Sequence, residues 1–174
     1  MNDSETLTQA ELEERAAELS RPSALDEGPG GDIGLLTLRL GDEYHGIPVA
    51  AVREVLSHPR VTPLPLAPAF LTGLLNLRGE IVAVLDLRVL LGLTPSREAG
   101  CAVVVRHGAV EAALLGDAAL EVVWARADQR EAVVATVPHE RAQFFSGAYR
   151  VGSRLITAVE VSELLKTPGL AALP

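Results

Sequence analysis

The sequence predicts a mainly β fold built from two copies of one small unit, preceded by a helical N-terminal extension. Three observations predict it. The chain repeats itself at a nearly constant offset. Its apolar residues are Val, Leu, Ile and Ala, with aromatics only 3% of 174 residues, and the β-branched part of that palette suits strands. Short apolar runs alternate with glycine- and proline-rich turns, the punctuation of small closed or nearly closed barrels.

The repeat is the strongest of the three. Moved by 67 positions, residues 35–56 fall on 102–123: Arg39-Leu40-Gly41 lies over Arg106-His107-Gly108, and Glu54-Val55-Leu56 over Glu121-Val122-Val123. From Phe70 to Leu91 the offset becomes 74, with Phe70 to Gly73 over Phe144 to Gly147 and Asp86 over Glu160. The change is a seven-residue insertion, placed in the loop between Ala125 and Arg141. Matched apolar, glycine and acidic positions imply two copies of a strand-turn-strand-helix-strand unit, at about 34–93 and 101–167. Each is small for a core of its own, so the two are expected to share one.

The elements follow in order. Residues 1–32 hold nine Asp or Glu against two Arg, which places −7 of the chain's net −8 on an acidic extension. Within it Thr8 and Glu11 form a capping box, and Leu7 and Leu12 have staple spacing. Leu12, Ala16 and Leu19 then share one narrow apolar face of a helix that Pro22 ends. Asp26 to Asp32 reads as a flexible linker, and the folded body, 33–167, opens near Ile33, leaving 168–174 as a C-terminal tail. Gly34 to Leu40 and Tyr44 to Val49 form a hairpin about Gly41. Val49, Val52 and Leu56 have helical spacing. Val61 to Pro68 carries three prolines and must be extended and partly unpaired. Phe70 to Leu75 is a further apolar segment. Glu80 to Leu87 is almost continuously apolar, as in a strand buried on both faces. Asp86 is positioned to cap a short turn or helix from Arg88. Leu35 to Leu40, Ile47 and Ile81 to Leu85 are read as core.

Composition excludes several functions. The single Cys101 permits neither an internal disulfide nor a cysteine zinc site and reads as a small buried hydrophobe. The acidic start is unlike a signal peptide, and the longest apolar stretch is broken by prolines, so a soluble cytoplasmic protein without membrane insertion is expected. A nearly neutral body with no basic patch argues against nucleic acid. No phosphate-binding glycine loop, nucleophile elbow or H-E-x-x-H occurs. His45, His58, His107 and His139 are scattered and read as surface or turn residues. Neither catalytic residue, metal site nor cofactor is expected.

One turn distinguishes the copies. The first reads Gly73-Leu74-Leu75-Asn76-Leu77-Arg78-Gly79, and the second places Gly152 where the first has Arg78. Fold-forming residues should persist in both copies, so a residue present once serves a partner or one special internal contact. Here the sequence is similar to the CheW family of chemotaxis coupling proteins. The similarity runs from about Gly34 to Leu165 and is most specific in G-x-x-N-L-R-G-x-I-V-x-V-x-D-L-R (Gly73 to Arg88) and G-D-E-Y-x-G-I-P-V-x-x-V-R-E-V-L (Gly41 to Leu56). Ala83 departs from it, standing where the family usually has proline.

The resemblance implies two intertwined, five-stranded SH3-like barrels. It implies a non-catalytic adaptor joining the cytoplasmic tips of chemoreceptors to the regulatory domain of a CheA-type histidine kinase. Glu54 and Arg78 match the family's Glu–Arg contact, expected to be a partly buried pair. Val52, Gly73, Asn76 and Gly79 match positions near partner-facing surfaces. Two other readings stay open: a divergent scaffold for a pilus, developmental or second-messenger pathway, and a small-ligand sensor or enzyme whose pocket lies between the barrels near Asp86, His45 or His139.

Overall fold

The computed structural model describes residues 27–28, 32–94, 100–131 and 139–167. The helix expected over residues 8–20 and the tail at 168–174 lie outside them. Strand β1 (Glu27–Gly28) pairs with the start of β2 (Asp32–Leu40), so part of the expected linker is bonded to the sheet. β2 turns at Gly41 into β3 (Glu43–Pro48), and a 3-10 turn, Val49–Ala51, leads to β4 (Val52–Ser57). The proline-rich run contributes only β5 (Thr62–Pro63). β6 (Leu71–Leu77) and β7 (Glu80–Asp86) form a hairpin, followed by helix α1 (Leu87–Leu91). Asp86 caps that helix as expected, its Oδ1 accepting from the Arg88 N–H at 2.9 Å.

The second copy repeats this order. It comprises β8 (Cys101–His107), β9 (Val110–Gly116), β10 (Ala118–Arg126) and β11 (Arg130–Glu131). Helix α2 (His139–Ala142), β12 (Phe145–Val151), β13 (Arg154–Val159) and α3 (Val161–Leu165) follow. Register refines the insertion. Leu74 faces Thr62, while its counterpart Ala148 faces Glu131, an offset of 69. The seven extra residues therefore divide into two before β11 and five after it.

The helix expected over Val49 to Leu56 is a 3-10 turn and a strand. Val52, Glu54 and Leu56 are half-buried while Arg53, Val55 and Ser57 are exposed, a period of two. Eight residues are too few for spacing to choose between periods; the edge of β8, which β4 pairs with antiparallel, decides. The repeat unit thus carries its helix at its end, after six strands.

The two sheets run β10-β2-β3-β13-β12-β11 and β4-β8-β9-β7-β6-β5, with β1 also on β2. The second order is the first with each strand exchanged for its repeat mate. Each barrel takes one hairpin from one copy and its remaining strands from the other, which is the intertwined SH3-like pair.

Alternation along the strands builds three cores. Leu36, Leu38 and Leu40 of β2 face a shared core with Cys101, Val103 and Val105 of β8, Ala112 and Leu114 of β9, and the apolar faces of α1 and α3. Leu35 turns instead into the first barrel with Ala125, Tyr149, Ile156 and Ala158. Ala102, Val104, Ala113 and Leu115 turn into the second barrel with Leu75, Val82 and Val84. The shared core is the largest of the three. Ile81, read as core, is 62% exposed: at its start β7 pairs with β6 alone, and β9 joins it only from Ala83.

Candidate functional site: the Asn76–Gly79 turn

Among the described residues four hairpins close through two-residue loops: Leu40 to Glu43, Leu77 to Glu80, His107 to Val110 and Val151 to Arg154. In each, the first loop residue is left-handed. Three of the four are glycines, Gly41 (φ 62°), Gly108 (φ 59°) and Gly152 (φ 60°), and the fourth is Arg78 (φ 53°). Two-residue hairpins need positive φ here to match the strand twist, and glycine supplies it without a Cβ clash. A non-glycine residue in this region costs roughly 1–3 kcal/mol and persists only where surrounding contacts impose it.

Those contacts are visible. Asn76 Oδ1 accepts from the Gly79 N–H at 2.8 Å, which closes the loop across its base. Gly79 follows at φ 98°, so both central residues are left-handed. Arg78 Nη2 donates to Glu54 Oε2 at 3.0 Å, reaching from the turn to β4. Glu54 sits at a register shift in β4 that re-aims its side chain. The expected pair therefore forms, but not as a partly buried one: the Glu54 side chain is 20% exposed and that of Arg78 is 81% exposed. Such a pair adds little stability. It holds a guanidinium in solvent, one edge occupied and the rest of its fork free.

The second copy keeps the acid and changes the source of the base. Glu121, the mate of Glu54, accepts from Arg154 Nη1 at 2.6 Å, and the Arg154 guanidinium lies 5.1 Å over the ring of Tyr44. A Glu–Arg pair is thus present in both barrels, and what occurs once is an arginine presented from the turn.

The other matched residues divide. Val52 is half-buried and packs against the shared core. Gly73 is buried, and a Cβ there would lie 2.1 Å from the Thr62 carbonyl oxygen. The structure gives it a backbone role: it lets β5 lie on β6. At Gly147 a Cβ would instead meet the side chain of Arg130, 2.6 Å from its Nε.

Two charge clusters were not legible in the sequence. Beside the turn, Arg53 Nη1 donates to Glu111 at 2.6 and 2.8 Å and to Glu80 at 3.2 Å. These hydrogen bonds, Glu111 first, hold its guanidinium above its usual range. The cluster borders an open cleft with Ile81, Arg106 and Ala109. Its members come from three strands far apart in sequence, so no spacing reveals it. Between the barrels, buried Arg88 pairs with Asp117, which also accepts from the Gly41 N–H at 2.6 Å. This ties α1 to the β9–β10 and β2–β3 turns. Arg88 had a signal: its mate is Ser162, so it too occurs once.

The residues proposed for a pocket between the barrels do other things. The shared core fills that space, and Asp86 is spent on its cap. His45 is buried and stacks on Phe145 with centroids 6.1 Å apart; burial pushes its pKa down to about 4. Glu43 Oε2 stands 3.3 Å from His45 Nε2, without hydrogen-bond alignment. The side chain of His139 lies outside the described residues. Cys101 is buried in the shared core, and burial pushes its thiol up. Among the described residues no helix is long and apolar enough to cross a membrane.

Comparison with known proteins adds the following. A family model described as the CheW-like domain matches residues 34–168. The chain is 28% identical over 138 residues to the probable chemotaxis protein CheW of Rhizobium etli, covering 77% of this chain and 88% of that protein. It is 27% identical over 138 residues to the chemotaxis protein CheW of Klebsiella aerogenes, covering 78% and 83%. The fold is similar to the crystal structure of the scaffolding protein TtCheW from Thermoanaerobacter tengcongensis, with TM-score 0.66, 25% identity, and 74% and 84% of the two chains covered.

Proposed function

The chain belongs to the CheW-like domain family, and from that premise we propose how it works as a chemotaxis adaptor: it joins the cytoplasmic tip of a chemoreceptor to the regulatory domain of a CheA-type histidine kinase, by binding alone. The observation that carries the reading is Arg78. It is exposed, held at a left-handed position that the three equivalent hairpins give to glycine, and oriented by Glu54. A strained residue that does nothing for the core is accounted for by an external carboxylate or carbonyl that its free donors recognise.

In this reading Glu54 and Asn76 position Arg78, and Gly79 allows its turn. Val52 contributes apolar contact at the edge of the shared core. The chain performs no reaction, needs no cofactor, and acts in the cytoplasm where both partners meet. Signal passes as a shift in population among arrangements of the bound partners.

Co-purification with a receptor signalling fragment and a kinase regulatory domain tests it. Retention of both, in one complex, is the expected result. Retention of neither by a folded chain overturns the assignment, and capture of a receptor and kinase serving another output moves it to a different pathway.

A further inference from the structure

We propose that the acidic N-terminal segment folds back on its own barrel and covers the apolar strip of β10. That strip is Leu120 (43% exposed), Val122 (48%) and Trp124 (43%). Val123 and Ala125, between and beyond them, turn into the barrel, so the strip is the outer face of a strand that, among the described residues, pairs on one edge only, with β2. Trp124 lies over Gly34: a Cβ on Gly34 would come within 3.0 Å of its ring. An apolar strip on an unpaired edge invites association unless something covers it.

The chain's own path supplies the cover. β1 bonds to Ile33 and Asp32, and those two residues pair on their other side with Ala125 and Arg126. Glu27 is therefore two strand spacings, about 10 Å, from Ala125, next to Trp124. Residues 1–26 all precede this anchor in the chain. Residues 21–26 can span about 20 Å when extended, ample to turn a helix back over β10.

Size and chemistry match. Leu12, Ala16 and Leu19 make an apolar line about 10 Å long on a helix, and Leu120 to Trp124 run about 13 Å along the strand. A helix of about 13 residues with so narrow an apolar face is marginal alone and is stabilised by a surface that buries it. Its acidic residues, Glu11, Glu13, Glu14 and Glu18, then face solvent. Tethering gives the segment an effective concentration in the millimolar range at the strip, so weak contact suffices.

Trp124 is the sole tryptophan and reports the contact directly. Acrylamide quenching of its fluorescence is measured in the full chain and in two full-chain variants, L12D/L19D, which destroys the apolar line, and Ala16→Pro, which breaks the helix. Both changes lie outside the barrels. Half or more of the molecules docked in the parent gives a quenching constant about twofold larger in each variant, with emission shifted to the red. Equal constants in all three proteins overturn the proposal. Protection that grows with protein concentration overturns it as well and assigns the strip to a second copy of the chain. Neither readout depends on a receptor or kinase.

Discussion

Replacing Arg78 with glycine separates presentation from packing, because the substitution copies the three equivalent hairpins. The stability terms nearly cancel. Relief of the left-handed backbone returns roughly 1–3 kcal/mol. Added freedom in the unfolded chain takes back about 0.4–1 kcal/mol. Loss of the Glu54 contact, with the arginine 81% exposed, costs about 0.2–1 kcal/mol. The net change lies between a loss of about 1 kcal/mol and a gain of about 2 kcal/mol, a shift in Tm of at most several degrees in either direction for a chain of this size. Binding behaves differently. Truncating an arginine central to an interface costs about 2 kcal/mol or more, which is roughly 30-fold in Kd. Thermal unfolding and calorimetric titration with a receptor fragment and a kinase regulatory domain, on the same preparation, give both numbers. A variant that loses several kcal/mol of stability shows that the turn needs arginine as a clamp. A variant as stable as its parent that binds both partners within twofold shows that Arg78 contacts neither.

The remaining predictions concern the frame that carries the turn. His45→Leu flattens the acid dependence of stability: His45 stays neutral in the fold down to about pH 4 but is protonated below about 6.5 when unfolded. The parent therefore loses about 3 kcal/mol relative to the variant as pH falls through that window, and parallel urea midpoints between pH 6.5 and 4 would show that Glu43 compensates the burial. Asp117→Ala strands the buried Arg88 guanidinium and destabilises by about 3–5 kcal/mol in urea unfolding, whereas the double change Arg88→Met with Asp117→Leu recovers most of the loss; equal losses in both would place the cost in the Gly41 hydrogen bond. Gly73→Ala drives a Cβ into the Thr62 carbonyl and costs roughly 1–3 kcal/mol, seen as a lower Tm; an unchanged Tm would mean that β5 contributes nothing to the barrel.

Much of the fold was legible because the repeat constrains it twice. An offset of 67 fixed the two glycine hairpins, and an offset of 74 fixed the second pair and the closing helices, each checked by the other copy. The acidic cap at Asp86 was legible because capping is local in sequence. What failed were quantities decided by neighbours. Val49 to Leu56 has helical spacing over a run too short to choose a period, and β8 makes it a strand. Ile81 continues an apolar run yet lies at the open end of its hairpin, before β9 pairs with β7. Gly73 carries no sign that a second backbone lies against it. Arg53, Glu80 and Glu111 meet only because strands far apart in sequence pair.

The candidate site turned on one criterion, presence in a single copy, and the structure shows what that criterion can and cannot separate. It selects Arg78, opposite Gly152, and equally selects Arg88, opposite Ser162. The two arginines are ten residues apart on one hairpin and its helix, with opposite fates. Arg88 is 4% exposed, its charge met by Asp117 within the molecule, and the asymmetry it marks is internal. Arg78 is mostly in solvent, its backbone strained and its one internal contact worth little. Two copies of a unit share the demands of folding, so a difference between them records either a contact the symmetry of the fold does not provide or one the fold does not make at all. Burial decides which. By that measure Arg88 completes the barrels, and Arg78, which completes nothing inside the molecule, is the residue we propose another protein engages.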